Sequence, residues 1–179
     1  VATYDWEDKG GKINDSGPDG LWNVEMHRDA QGVWRMGAAP GMQRGYDAFN
    51  PDGRADYFCH PWKYEIKVGD KGLSLDAVWA ESPHTLNEVG STFSIQGFDL
   101  NYVGVIIGPS VTYREGKIVF NEKASCNKRA VSKRNGSISY AQSNLRNELN
   151  VLLKRGVHGL YLFAVDPELQ AALKEAASK

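Results

Sequence analysis

The most constraining feature of the sequence is the stretch GSTFSIQGFDLNYVGVIIG, from Gly90 to Gly108. Its second half, residues 103–107, is a short, almost unbroken run of apolar residues, which predicts a buried strand. Such strands are typical of parallel sheets that are covered on both faces. The first half is polar and holds Gln96, Gly97 and Asp99, so we expect a loop that leads into the strand. Loops on a buried α/β scaffold are common places for functional residues.

The chain after this stretch has the patterns of alternating helices and strands. A helix is predicted from about Tyr140, because four leucines recur at helical spacing: Leu145, Leu149, Leu152 and Leu153. Ser137 or Ser139 is the candidate cap at its start, and Gly156 supplies its end.

A second buried strand is predicted over residues 160–165, and Asp166-Pro167 is a strong start for a last helix. Residues 117–120 are a further candidate strand. Over residues 90–179 the order is strand, long loop, helix, strand, helix. That order predicts an α/β fold with a parallel sheet flanked by helices.

The first half of the chain has a different pattern, rich in glycine and in short β-like segments. Residues 22–26 and 33–36 alternate around a turn at residues 29–32, which predicts a β-hairpin. We expect loop over residues 37–61 and a second hairpin formed by residues 64–68 and 73–79. All the tryptophans precede residue 80. They could stack on nucleic-acid bases or fill a small hydrophobic core, and we favour the second interpretation because large aromatic side chains are mostly buried.

Charge is distributed unevenly along the chain. The net charge is −6 over residues 1–89 and +5 over residues 90–179. Residues 123–147 contain no acidic residue, and their composition predicts a mobile basic loop. Its basic residues are Lys123, Lys128, Arg129, Lys133, Arg134 and Arg146. This segment is either a loop that contacts the phosphates of DNA or RNA, or a solvated loop without such a contact, and the sequence does not separate the two.

Several classes of protein are not indicated by the sequence. Cys59, Cys126 and the four histidines lack the spacing of a metal site, so we expect no metal and two reduced thiols, as in a cytoplasmic protein. No apolar run is long enough to cross a membrane. There is no phosphate-binding G-x-x-x-x-G-K-[ST] loop, and Val1 is not methionine, so we expect a processed product or a piece of a longer chain.

Two segments together carry a resemblance to a known family. Residues 93–99, FSIQGFD, resemble the fifth motif of superfamily 1 helicases, a His-x-x-(Gln/Lys)-Gly-x-(Glu/Asp) loop before a strand. Residues 152–156, LLKRG, resemble the sixth motif, in which an arginine ends a helix before another strand. The family commonly has His where Phe93 stands and Thr where Lys154 stands. Over about residues 80–173 the chain resembles a bacterial family of uncharacterised P-loop helicase-like ATPases, with further shared stretches at 104–109 and 166–169.

The resemblance implies a function and a domain organisation. Residues 1–7 and 80–179 would form the second RecA-like domain of an ATP-dependent helicase or translocase, and residues 8–79 a loop and β-hairpin insertion. ATP with Mg²⁺ would bind between this domain and an N-terminal RecA-like domain of the same polypeptide, which would hold most of the Mg²⁺ ligands. This fragment alone would then not hydrolyse ATP.

The resemblance also implies roles for single residues. Arg155 would be the arginine finger that reaches the γ-phosphate. Gln96 and Gly97 would line the nucleotide cleft, Asp99 would lie near the ribose, and Lys154 would add charge near the phosphate. The expected contacts to nucleic acid are Phe93, Lys128, Arg129, Lys133 and Arg134. Two alternatives remain: a non-catalytic nucleic-acid-binding module, and a regulatory ATPase that does not unwind.

Overall fold

The computed structural model describes residues 1–9, 12–17, 20–41, 56–62, 78–133 and 139–179. The strands there are β1 (Asn23–Arg28), β2 (Trp34–Met36), β3 (Tyr57–Pro61), β4 (Leu100–Ile107), β5 (Val111–Arg114), β6 (Lys117–Phe120) and β7 (Gly156–Ala164). The helices are α1 (Thr92–Ile95), α2 (Lys128–Val131), α3 (Ala141–Leu153) and α4 (Pro167–Ala177), and 3-10 turns span Trp79–Glu81 and Pro83–Asn87. This is a mixed α/β fold.

The centre of the fold is the parallel pair of strands β4 and β7. Their register runs from Leu100 opposite Gly156 to Ile107 opposite Ala164. On the other side of β4, residues 1–3 lie parallel to the strand, with a bridge between Ala2 and Ile106. The predicted α/β class with a parallel strand pairing is therefore confirmed. The division into residues 1–7 with 80–179 and an insertion at 8–79 stays a prediction.

One face of this strand pair packs against α3 and α4. Leu145, Leu149 and Leu152 are buried on the inner side of α3, as their spacing predicted, and Leu153 packs against the same core from a half-buried position. At the start of α3, Ala141 N donates a hydrogen bond to Ser139 Oγ (3.4 Å), while Ser137 lies outside the described residues. Asp166 caps α4 as predicted, since its carboxylate accepts from Leu169 N.

The other face of the strand pair packs against a three-stranded antiparallel sheet in the order β2-β1-β3. The β1–β2 hairpin matches the prediction, and Trp34 contacts Phe163 of β7 edge-on, with ring centroids 5.7 Å apart. All the tryptophans are buried or half-buried, and Trp6 and Trp62 are core residues. The expectation that they fill a core is confirmed.

The amino-terminal half of this second face is exposed in the described part of the chain. Tyr102 of β4 is 64% exposed and Tyr161 of β7 is 67% exposed. The prediction of a fully buried strand over residues 160–165 is therefore wrong for its first residues. The cause is that the three-stranded sheet covers Ile106 and Phe163 but does not extend to the starts of β4 and β7.

Four local predictions need correction. Residues 57–61 were expected in a loop but form β3, which pairs with β1 over the register from Asn23 opposite Pro61 to His27 opposite Tyr57. The polar half of the Gly90–Gly108 stretch contains the one-turn helix α1. The basic segment 123–147 contains α2, and Trp79, expected in a strand, lies in a 3-10 turn. Residues 64–77 of the second predicted hairpin lie outside the described residues, and Val78 precedes the 3-10 turn. The predicted strand at residues 117–120 is β6, and its partner β5 was not predicted.

Candidate functional site

The two motif-bearing segments meet at the amino-terminal edge of the parallel strands. Leu100 begins β4 and Gly156 begins β7, and these two residues are paired. Just before them, Leu100 N donates a hydrogen bond to the carbonyl oxygen of Arg155 (2.8 Å). The segment Gln96–Asp99 and the segment Lys154–Arg155 are therefore neighbours, although more than fifty positions separate them in the sequence.

A capped turn of helix positions the first of these segments. Ser91 Oγ accepts a hydrogen bond from Phe93 N (3.2 Å), and Ser94 Oγ accepts one from Ser91 N (3.1 Å), which is a reciprocal capping box. Helix α1 then ends at Ile95, and Gln96 is its exposed C-cap.

Gly97 turns the chain after α1. Its φ is +90°, in the region that glycine reaches without the steric cost that other residues meet. A Cβ built on Gly97 would have no heavy atom within 4 Å, so the backbone conformation is the reason for glycine here. The turn leads to Phe98, whose carbonyl oxygen faces Arg155.

The guanidinium of Arg155 is held by two backbone carbonyls. Its Nε donates to the carbonyl of Val151 (3.2 Å), in the last turn of α3, and its Nη1 donates to the carbonyl of Phe98 (3.3 Å). Nη1 also lies 3.6 Å from Asp99 Oδ1, in an ion pair. The side chain is only 23% exposed. Among the described residues, Nη2 has no hydrogen-bond partner.

Charged side chains of both signs lie beside Arg155 at this edge of the sheet. Lys154, the C-cap of α3, is exposed beside it, whereas the carboxylate of Asp99 is 75% exposed and reaches solvent. A positioned guanidinium with one free nitrogen and a neighbouring ammonium suits a phosphate group, because arginine binds anions through a rigid planar fork. Among the described residues, Asp99 is the carboxylate that forms an ion pair with Arg155.

The basic residues lie at the opposite end of α3. Ala130 of α2 accepts a hydrogen bond from Asn144 Nδ2 (2.8 Å), in the first turn of α3, whereas Arg155 follows its last turn. A helix of 13 residues is about 20 Å long. Lys128, Arg129 and Lys133 are exposed there, well away from Arg155, and Arg134 lies outside the described residues.

Phe93 lies on helix α1 with a largely exposed side chain. Helix α1 packs on α3, and the Phe93 side chain is 60% exposed. Its ring contacts the ring of Tyr4 edge-on, with centroids 6.2 Å apart. An exposed aromatic ring could stack on a base, so the expected role of Phe93 stays a prediction.

A buried carboxylate cluster was not predicted from the sequence. Asp5 and Glu148 are both almost fully buried, and burial raises the pKa of each carboxyl. Asp5 Oδ2 accepts from Thr3 Oγ1 (3.0 Å) and Ser110 N (2.9 Å), and Glu148 Oε1 accepts from Tyr4 N (2.5 Å).

The cluster fixes residues 3–5 against α3 and the carboxyl-terminal end of β4. The sequence carried one signal for it, because Glu148 falls on the leucine face of α3. In the described residues, no group of three or more His, Cys, Asp or Glu side chains could hold a metal ion. Cys59 and Cys126 are not joined by a disulfide in the described residues.

Comparison with known families gives a match over nearly the whole chain. The model of the Schlafen group 3 DNA/RNA helicase domain matches residues 1–166. The chain belongs to this family. The helicase-like family that the motifs at residues 93–99 and 152–156 suggested is therefore confirmed as a Schlafen group 3 DNA/RNA helicase domain, whereas the bacterial family and the RecA-like assignment stay predictions.

Sequence comparison also gives a curated relative of this Schlafen group 3 domain. An uncharacterized protein of Saccharomyces cerevisiae, YPL245W, is 39% identical over 108 residues, which cover 56% of this chain. The match covers 23% of the yeast protein, so the chain corresponds to about a quarter of that relative's length. No solved structure matches the chain. None of the helices in the described ranges is long and apolar enough to cross a membrane.

Proposed function

We propose that this chain is the second RecA-like domain of an ATP-dependent helicase or translocase of the superfamily 1 type. Arg155 would stabilise the charge that develops on the γ-phosphate. The supporting observation is the geometry of Arg155, which two backbone carbonyls orient while its Nη2 has no hydrogen-bond partner among the described residues. An arginine finger must be placed before the reaction, because its contribution depends on a fixed position relative to the charge.

The other residues of this edge have subsidiary roles in the proposal. Lys154 adds positive charge, and Gln96 and Gly97 form the wall of the cleft. ATP with Mg²⁺ would lie between this domain and an N-terminal RecA-like domain, and the nucleotide supplies the phosphoryl group that is transferred to water.

The test is a pair of substitutions in the native polypeptide that contains residues 1–179. Arg155→Ala should lower the ATPase kcat by about 10³-fold or more. Arg155→Lys should lose most of the activity as well, because an ammonium cannot bind both carbonyls and a phosphate in the same planar geometry.

Lys154→Ala is the matched control, since it removes an adjacent exposed charge that has no anchoring contact, and it should cost less than about tenfold. Arg155→Ala with more than a tenth of the wild-type activity would contradict the assignment. ATP hydrolysis by residues 1–179 alone would contradict the proposal that the other domain completes the site.

A second candidate function is a nucleic-acid-binding module without catalysis. The observation that favours it is the exposed basic group of Lys128, Arg129 and Lys133, in a segment without acidic residues. Binding of a fluorescent single strand should weaken steeply with salt, and the triple alanine variant should reduce the salt slope by about 2. The control is Lys174→Ala in α4. Binding that does not respond to salt would contradict this candidate.

A third possibility is a regulatory ATPase that does not unwind nucleic acid. It shares the Arg155 chemistry with the first proposal, so mutation of Arg155 does not separate the two. A strand-displacement assay on the native protein does: unwinding supports the helicase, and ATPase activity without displacement supports the regulator or a translocase.

A further inference from the structure

The contacts of Arg155 differ in how they would respond to a bound phosphate. The carbonyls of Val151 and Phe98 are neutral and accept hydrogen bonds from Nε and Nη1, respectively. They orient the guanidinium without reducing its net charge. Asp99 is anionic and lies 3.6 Å from Nη1, so it offers the guanidinium the same kind of charge that a phosphate would.

The Asp99–Arg155 pair has the properties of a replaceable contact. At 3.6 Å the pair is longer than a charged hydrogen bond, and the carboxylate is 75% exposed while the guanidinium is 23% exposed. Exposed ion pairs shift an equilibrium by about two- to fivefold at most, so a multiply charged phosphate can displace such a carboxylate.

The loop that carries Asp99 also carries the carbonyl that holds Arg155. The positive φ of Gly97 (+90°) determines the direction in which the backbone continues into Phe98 and Asp99. Asp99 then precedes Leu100, whose N–H binds the carbonyl of Arg155 itself. The backbone contacts keep the two segments together even if the Asp99 carboxylate turns away.

We propose that Asp99 is a positioning residue that pairs with Nη1 of Arg155 and competes for the charge of the guanidinium until a nucleotide phosphate binds there. Asp99 is thus an intramolecular competitor for the phosphate, and not a ligand of the nucleotide. This inference rests on the proposed function of Arg155. It differs from the role near the ribose that the family resemblance implies for Asp99, and the two roles predict opposite effects of the same substitution.

The test is Asp99→Asn in the native polypeptide that contains residues 1–179, with ATP as the probe. If Asp99 competes with the phosphate, the variant should have a KM for ATP about two- to fivefold lower, with kcat within about twofold of wild type. The gain should shrink at high salt, because a pair this exposed is screened by ions. Asp15→Asn, the same change at an exposed position in the loop before β1, is the matched control and should leave KM unchanged.

Two outcomes overturn the inference. A higher KM would mean that the carboxylate binds the nucleotide, as a ribose contact requires, and an unchanged KM would mean that the ion pair has no effect on binding. Failure of the proposed function gives a different result, because Arg155→Ala then keeps its ATPase activity whatever Asp99→Asn does.

A measurement without nucleotide tests the pair itself. Thermal unfolding midpoints of Asp99→Asn, Arg155→Gln and the double variant form a cycle, and the shifts should not add if the two side chains interact. Additive shifts would overturn the inference, because a carboxylate that does not interact with the guanidinium cannot compete for it.

Discussion

The end of β4 provides the strongest structural test, through the substitution Gly108→Ala. A Cβ built on Gly108 would overlap Asp5 Oδ2. The same Cβ would lie 2.7 Å from Asp5 Cβ and 2.9 Å from Asp5 Cγ, which is closer than van der Waals contact. Asp5 is 5% exposed and cannot move aside into solvent without disturbing the N-terminal segment. Gly108 N also donates to Thr3 Oγ1 (2.8 Å), so the methyl group would enter a closed set of contacts.

The magnitude of the effect follows from the contacts that Asp5 would lose. Its Oδ2 accepts two hydrogen bonds, from Thr3 Oγ1 and Ser110 N, and bonds to a charged group contribute about 1.5–3 kcal/mol each. Some of this is recovered, because a displaced carboxylate is hydrated again. We therefore expect Gly108→Ala to lower the free energy of unfolding by about 3 kcal/mol, within the range of overpacked cores. That corresponds to a fall in Tm of roughly 6–12 °C for a chain of this size.

The assay is chemical denaturation followed by tryptophan fluorescence. Gly104→Ala in the same strand is the control, because a Cβ there would meet no heavy atom within 4 Å, and it should change stability by less than about 0.5 kcal/mol. In an Asp5→Gly background the clash is absent, so Gly108→Ala should cost much less. Equal stability of the Gly108→Ala and Gly104→Ala variants would refute the close packing of Asp5 on β4.

Two further predictions concern other carboxylates. Asp166 accepts hydrogen bonds from Leu169 N (2.9 Å) and Tyr113 N (3.2 Å) and pairs with Arg114, so Asp166→Ala should cost about 2 kcal/mol in denaturation, whereas Glu168→Ala, at an exposed carboxylate, should cost less than about 0.5 kcal/mol. Equal costs would contradict the capping role. Burial raises the pKa of Asp5, so the folded chain retains this proton more strongly than the unfolded chain does, and the stabilisation is present at low pH and lost as the pH rises through the folded pKa. Asp5→Asn removes this titration, so its stability relative to wild type should improve as the pH rises above the ordinary aspartate range, and a difference that does not change with pH would contradict the raised pKa.

The sequence correctly predicted those helices and strands that have a clear apolar pattern together with a residue that marks a boundary. The β-branched run of β4, the leucine spacing of α3 and the Asp166-Pro167 start of α4 each combine a pattern with a boundary residue. Their order was then enough to predict a parallel pairing of β4 and β7, because crossovers through a helix lead to parallel strands.

The missed elements depend on partners distant in the sequence or on weak caps. β3 is a five-residue strand ending in proline, and it is stabilised by its pairing with β1, which the sequence of β3 does not reveal. α1 has a capping box made of two serines, Ser91 and Ser94, in place of the usual Glu or Gln at the third position.

The sequence motifs named the residues of the candidate site, whose roles stay predictions, but they did not predict the contacts between these residues. The motifs singled out Arg155 and Asp99, and the fold brings them together. The carbonyl anchors at Val151 and Phe98 could not be predicted, because the direction of the Phe98 carbonyl depends on the positive φ of Gly97. The burial of Asp5 was also missed, since an acidic residue near a chain terminus usually remains exposed.

The measurement that tests the central claim most directly is ATP hydrolysis by the native polypeptide that contains residues 1–179, with and without single-stranded DNA or RNA. We expect hydrolysis that nucleic acid stimulates and that Arg155→Ala lowers by about 10³-fold or more, whereas Lys154→Ala should retain more than about a tenth of it. Absence of ATPase activity in the native protein, or activity that survives Arg155→Ala, would contradict the account of this edge as half of an ATP site.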